Sequence, residues 1–144
     1  MLQKDTIDQA LLAQLRDNAR ASTSELARRL GLSRSTVQSR LNKLLESRVI
    51  TGFTVRLGES YTDSLIRAHV LIELEQKLTG QAQARLKKMH KVTALYAISG
   101  AYDMIAMVEA NSTDELSRLL DEIANLDGIE RTNSSVILET KFER

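Results

Sequence analysis

Four side chains between positions 35 and 42 carry chemistry worth following: Ser35, Gln38, Ser39 and Asn42. Each can both donate and accept hydrogen bonds. Their separations of three and four residues would place them on one side of a helix. Gln and Asn can pair with an adenine edge through two hydrogen bonds, and Ser can serve several bases. Arg34 and Lys43 flank them, and such cations serve guanine or phosphate. A merely solvated helix face would show the same residue types. The elements around the stretch separate the two readings.

With Val37 set at the inward centre and about 100° per residue, Leu41 and Leu44 fall beside it. Leu45 lies at the margin. The hydrogen-bonding quartet falls on the opposite arc, on a helix expected from Arg34 to Ser47. Upstream, Ser22 with Glu25 makes a capping-box signature before Leu26, Ala27 and Leu30. Gly31 breaks that helix, and Ser33 can cap the next. An earlier helix is signalled by Thr6 with Gln9 and by Ile7, Leu11, Leu12 and Leu15 at helical spacing. The interval Ala27, Gly31, Val37 suits a helix-turn-helix, in which a small residue lets two helices approach and Gly permits the turn. The β-rich "VITGFTV" (Val49 to Val55) then predicts a strand. Residues 1–60 hold ten Lys/Arg against six Asp/Glu, whereas residues 61–144 hold ten against thirteen. A basic first part fits a polyanionic partner. The outer arc is therefore expected to read the major groove of DNA.

The polar stretch "RLGESYTDS" reads as a linker, and beyond it the texture changes. "LIRAHVLIEL" predicts a strand, Gly80 to His90 a helix with Ala82, Leu86 and Met89 on one side. "VTALYAISGAYDMIAMVEA" divides at Gly100–Asp103 into two strands. Ser112 with Glu115 caps a helix carrying Leu116, Leu119, Leu120, Ile123 and Leu126, closed by Gly128. "IERTNSSVILETKFE" supplies the last strand. The order is strand, helix, strand, strand, helix, strand, the ferredoxin-like βαββαβ pattern of an α+β protein. "MIAMVEA" and "ALYAIS" are apolar on both faces, while two helices cover only one face of such a sheet. Either a second copy covers the other face, or a monomer exposes a large apolar surface.

Enzymatic readings find little support. The chain has no Cys, and His69 and His90 stand at no metal-ligand spacing. "SGAYDM" has one Gly and is no phosphate-cradling loop, and no nucleophile or second acid accompanies Asp103. No catalytic residue, metal or cofactor is expected. There is no run of 18 apolar residues and no apolar stretch near the start, so a cytoplasmic location away from membranes is expected.

Together these stretches carry a resemblance. Residues 5–56, through "LLAQLRDNARASTSELARRLGLS" and "VITGF", resemble the winged helix-turn-helix domain of the Lrp/AsnC (feast/famine) family of transcriptional regulators. Residues 65–142, through "SGAYD" and "RTNSSVIL", resemble that family's effector-sensing domain. The resemblance implies a DNA-binding domain over 1–53, a linker strand or hinge over 54–64, and an effector-binding and oligomerisation domain over 65–144. It implies a homodimer, often assembled to an octamer, that binds pseudo-palindromic double-stranded DNA and a small amino-acid effector. By position, Ser35, Gln38, Ser39 and Asn42 would read bases, and Arg34, Arg40 and Lys43 would hold phosphates. Gly100, Tyr102 and Asp103 match the effector loop, and Thr132 and Ser134 match the strand beside it. Gly100 would admit a ligand close to backbone N–H groups, and Asp103 suits an α-ammonium.

Two residues depart from the family pattern. Arg34 stands where Pro is frequent, adding a charge. Arg48 stands where Gly is usual; in a left-handed turn this costs about 1–2 kcal/mol. Either the turn differs, or the cation is useful against a phosphate. Two other readings remain open: an architectural, nucleoid-type DNA packager without ligand response, and an amino-acid-binding regulatory subunit of an enzyme, with a vestigial helix-turn-helix.

Overall fold

The structure, a computed structural model, describes residues 5–142. Three helices come first: α1 (Thr6–Asp17), α2 (Thr23–Leu30) and α3 (Arg34–Glu46). Each begins where a side-chain oxygen accepts an otherwise unpaired backbone N–H. Ser22 takes that of Glu25 and Ser33 that of Thr36, both at 3.1 Å. For α1 the cap is Asp5, which takes the Ile7 N–H at 3.0 Å, rather than Thr6, which is already helical. Gly31, at φ 65°, ends α2 in the left-handed turn expected of it. Leu11, Leu15, Leu26, Ala27, Val37 and Leu44 are buried between the helices, with Leu41 and Ile50 packed around them.

The strand expected over Val49 to Val55 is not formed. A strand needs a neighbour for its backbone hydrogen bonds, and none pairs with this segment among the described residues. Val49, Phe53 and Val55 consequently remain exposed.

The chain divides into two compact units after Arg56. The second contains the short α4 (Glu59–Thr62), within the stretch expected as a linker, and then β1 (Ile66–Leu74). A 3-10 turn (Gln76–Leu78) leads to α5 (Thr79–Lys88), followed by β2 (Val92–Ala97), β3 (Met104–Ala110), α6 (Thr113–Ala124) and β4 (Ile129–Ile137). The strands form one antiparallel sheet in the order β2-β3-β1-β4. The last strand, expected to run to Glu143, ends at Ile137. Residues 1–4 and 143–144 of the expected domains lie outside the described residues.

Alternation along the strands decides what each face does. Ala68, Val70, Ile72 and Leu74 of β1, with Met104, Ala106 and Val108 of β3, are buried in one core with Ala82, Leu86, Leu116, Leu119 and Ile123 of the helices. The opposite face carries Leu71 paired with Ile105 and His69 paired with Met107, only partly covered. Tyr96 of β2 joins it and is 56% exposed. Among the described residues no helix is long and apolar enough to cross a membrane.

The start of α6 is held from two directions. Ser112 Oγ accepts the Glu115 N–H at 3.1 Å, and Glu115 accepts the Asn111 N–H at 2.5 Å and pairs with Lys91 at 3.0 Å. The Asn111 bond, and then Lys91, hold the Glu115 carboxyl below its ordinary range. Gly128 does not close α6; the helix ends at Asn125. Gly128 instead sits before β4 at φ 91°, where an added Cβ would lie 2.6 Å from Leu78 Cβ. Close approach of the two segments, rather than helix termination, explains the glycine.

Candidate functional site

The N-cap at Ser33 and the buried stripe of Val37 and Leu44 fix how α3 is turned. That rotation leaves Ser35, Gln38, Ser39 and Asn42 exposed together, with Lys43 and Glu46, along one shallow surface. The two amides are not independent. Gln38 Nε2 donates to Asn42 Oδ1 at 2.9 Å, while Gln38 Oε1 accepts from the Thr23 hydroxyl of α2 at 3.3 Å. The network restrains two long-reaching amides before any ligand arrives, and their remaining donors and acceptors face solvent. Such a face can make directional hydrogen bonds to base edges.

Cations surround it. Arg34 is exposed, its guanidinium 3.5 Å from Ser24 Oγ, and Lys43 borders the amides. Among the described residues neither forms an ion pair, which leaves their charges available to an anion.

Arg40 is placed differently from the expectation that it serves phosphate. Its Nη1 donates to Asp5 Oδ2 at 2.6 Å and to Asp8 Oδ1 at 2.8 Å, clasping α3 to the start of α1. Its side chain is only 27% exposed. The guanidinium, and then the Ile7 N–H, hold the Asp5 carboxyl below the usual carboxylate range. In turn the Asp8 and Asp5 carboxylates raise the basicity of Arg40. Three helical positions past Val37, Arg40 lies toward the inner side of the wheel, a signal that sequence reasoning passed over.

Glu46 was missed altogether. Nine residues after Val37 it falls opposite the buried stripe at about 100° per residue, so the wheel could have found it. A carboxylate at that point can accept from the cytosine amine.

The turn between β2 and β3 forms the second candidate site. Gly100 adopts φ 122°, a region that favours Gly, with open space where a Cβ would project. Ile98 N–H donates to Asp103 O at 3.0 Å, and Asp103 N–H to Ile72 O at 2.9 Å. The Asp103 carboxylate also has a local partner: Oδ2 accepts the Leu74 N–H at 2.7 Å. Its Oδ1 has no partner among the described residues.

Tyr102 is half-buried beneath Arg131, whose guanidinium carbon lies 5.1 Å from the ring centroid. Arg131 also pairs with Glu73 at 2.9 Å. Neither Arg131 nor Glu73 was anticipated, because a cation–π contact between a turn and a distant strand leaves no periodic trace. Thr132 pairs with Ile72 and Ser134 with Val70, on the face of the sheet that meets the helices. They stand across β1 from the turn, and Ile72 lies between, its carbonyl accepting from Asp103 N–H on one side while it pairs with Thr132 on the other.

Both units have counterparts among known proteins. Residues 4–51 match the model of a winged helix-turn-helix DNA-binding domain. Residues 67–144 match that of the Lrp/AsnC ligand-binding domain. An uncharacterised HTH-type transcriptional regulator of Pyrococcus abyssi is 33% identical, over 97% of this chain and 89% of its own. The structure of Escherichia coli AsnC matches with TM-score 0.87 and 28% identity, covering 97% of this chain and 95% of that one. The feast or famine regulatory protein of M. tuberculosis, solved in complex with L-methionine, matches with TM-score 0.87 and 34% identity, over 96% and 95% of the two chains.

Proposed function

Because the chain belongs to the Lrp/AsnC family of transcriptional regulators, we propose that it reads specific DNA sequences with α3 and responds to an amino acid at the β2–β3 turn. The observation that carries this reading is the outer face of α3. Gln38 and Asn42 are hydrogen-bonded to each other and exposed beside Ser35 and Ser39, with Arg34 and Lys43 unpaired at the margin. Amides deliver base discrimination, and the cations deliver attraction to the phosphate backbone. Arg40 contributes by keeping α3 in register with α1.

For the effector, support comes from the turn and from the M. tuberculosis relative solved with L-methionine. Gly100 lets a ligand approach the backbone, and Asp103 Oδ1 is free to meet an ammonium. The turn is open in a single chain, so the remaining walls come from a second subunit. The partly apolar outer face of the sheet supplies the cause for a homodimer, and membership of the family supports further assembly of such dimers to an octamer. In functional terms residues 1–53 bind DNA, 54–64 connect, and 65–144 sense and assemble.

Footprinting with and without each of the twenty amino acids tests the proposal, guided by a thermal-shift screen, since a ligand of the folded form raises apparent stability. Discrete protected sites whose pattern changes with one amino acid are expected. Protection spread evenly over any duplex, unaffected by amino acids, would mark an architectural packager instead.

A further inference from the structure

Among the described residues, one residue other than Gly has a positive φ: Arg48, at 56°. It stands just past Ser47, the C-cap of α3, where the chain must reverse. Ser47 N–H returns to Lys43 O at 3.0 Å, Arg48 N–H to Leu45 O at 3.0 Å, and Ile50 N–H to Leu44 O at 2.9 Å. That last bond brings Ile50 back onto the core that contains Leu44. The fold therefore requires a left-handed residue at 48, a conformation that Gly adopts without a steric penalty and Arg does not.

Packing does not explain the choice. Arg48 is exposed, and its guanidinium has no hydrogen bond or ion pair among the described residues. Strain retained at an exposed position, with no contact in return, points to a use outside the folded chain.

We propose that Arg48 is a phosphate-binding residue that anchors the C-terminal end of α3 to the DNA backbone. This rests on the reading of α3 as the groove-bound helix. From Asn42 to Arg48 the chain advances six residues, about 9 Å at helical rise. A recognition helix meets base edges with its earlier turns, so a turn that far beyond the amides stands where the chain leaves the groove, beside the flanking phosphates. A long, permanently charged side chain is what that position calls for.

Four full-length proteins separate charge from backbone: wild type, Arg48→Lys, Arg48→Ala and Arg48→Gly. Stability without DNA should follow the backbone. The Gly variant should melt several degrees higher than the other three, because only it relieves the left-handed strain. Affinity for random duplex should follow the charge. Wild type and the Lys variant should bind alike. The Ala and Gly variants should bind several-fold more weakly, with the slope of log K against log salt reduced by about 0.9 per bound protomer.

Unchanged affinity and salt slope in both uncharged variants would overturn the proposal while leaving the groove reading intact. Loss in the Gly variant alone would overturn it too, by showing that turn rigidity, not charge, matters. A Gly variant no more stable than the Ala variant would remove the strain premise. Absence of duplex affinity in the wild type at low salt would sink both this proposal and the groove reading.

Discussion

Gln38 and Asn42, one helical turn apart on α3, are joined by a 2.9 Å hydrogen bond from the Gln38 amide nitrogen to the Asn42 amide oxygen. Each side chain thereby limits the orientations of the other. Replacing either by Ala should cost about 1–3 kcal/mol at a specific operator and little on random duplex. The double variant should lose less than the sum of the single losses, because the first substitution already frees the second amide. Fluorescence anisotropy on both duplexes decides the matter. Equal losses on specific and random DNA would show that these amides do not read bases.

The outer face of the sheet, where Leu71, Ile105 and Met107 are only partly covered, makes a prediction about assembly. Sedimentation at micromolar concentration should show at least a dimer. Leu71→Glu, which puts a charge at the centre of that face, should shift the protein to monomer. The operator should contain an imperfect palindrome with half-sites about 34–36 Å apart, or a multiple of that spacing. A wild-type protein that sediments as a monodisperse monomer would exclude this assembly.

Substitution can separate the bond that Asp103 makes to Leu74 N–H from its proposed contact with an amino acid. Asp103→Ala leaves the half-buried Leu74 N–H without its acceptor and should destabilise the domain by about 1–3 kcal/mol. Asp103→Asn retains an acceptor for that N–H but removes the charge. It should fold nearly as well as the wild type while losing about 1.5–3 kcal/mol of amino-acid affinity by calorimetry. If Asp103→Asn binds the same amino acid as tightly as the wild type, Asp103 only shapes the turn.

The Arg40–Asp5 contact makes stability depend on pH in a stated direction. The folded carboxyl of Asp5 titrates below its unfolded value of about 3.9. Its stabilising effect is therefore complete above that pH and is lost as pH falls through the lower folded value. Asp5→Asn keeps an N-cap for α1 but cannot titrate. Its unfolding midpoint should fall less steeply on acidification than that of the wild type. Parallel acid limbs for the two proteins would show that the pair contributes nothing to this dependence.

Much of the fold was legible because its causes are local. Ser22, Ser33 and Ser112 each cap a helix by reaching an N–H three residues ahead, and Val37 and Leu44 repeat at the helical period. The two-residue period of a strand likewise divides Met104, Ala106 and Val108 from Ile105 and Met107, although only the fold shows that the first set faces the core. From such patterns alone the two units, the βαββαβ order and the exposed quartet on α3 could be written down.

What only tertiary structure decided involves partners far apart in the chain. Arg40 meets Asp8 and Asp5 across 32 and 35 positions, which turns an expected phosphate ligand into a clasp between helices. Asp103 finds the Leu74 N–H 29 residues away, and Tyr102 finds Arg131. Val49 to Val55 has strand-forming residues, yet no neighbouring strand supplies its hydrogen bonds. Arg48 could have sat in either kind of turn until Ile50 was required to fold back on Leu44. Periodicity and capping depend on residues a few positions apart, whereas charge pairing and backbone reversal depend on which segments the folded core brings together.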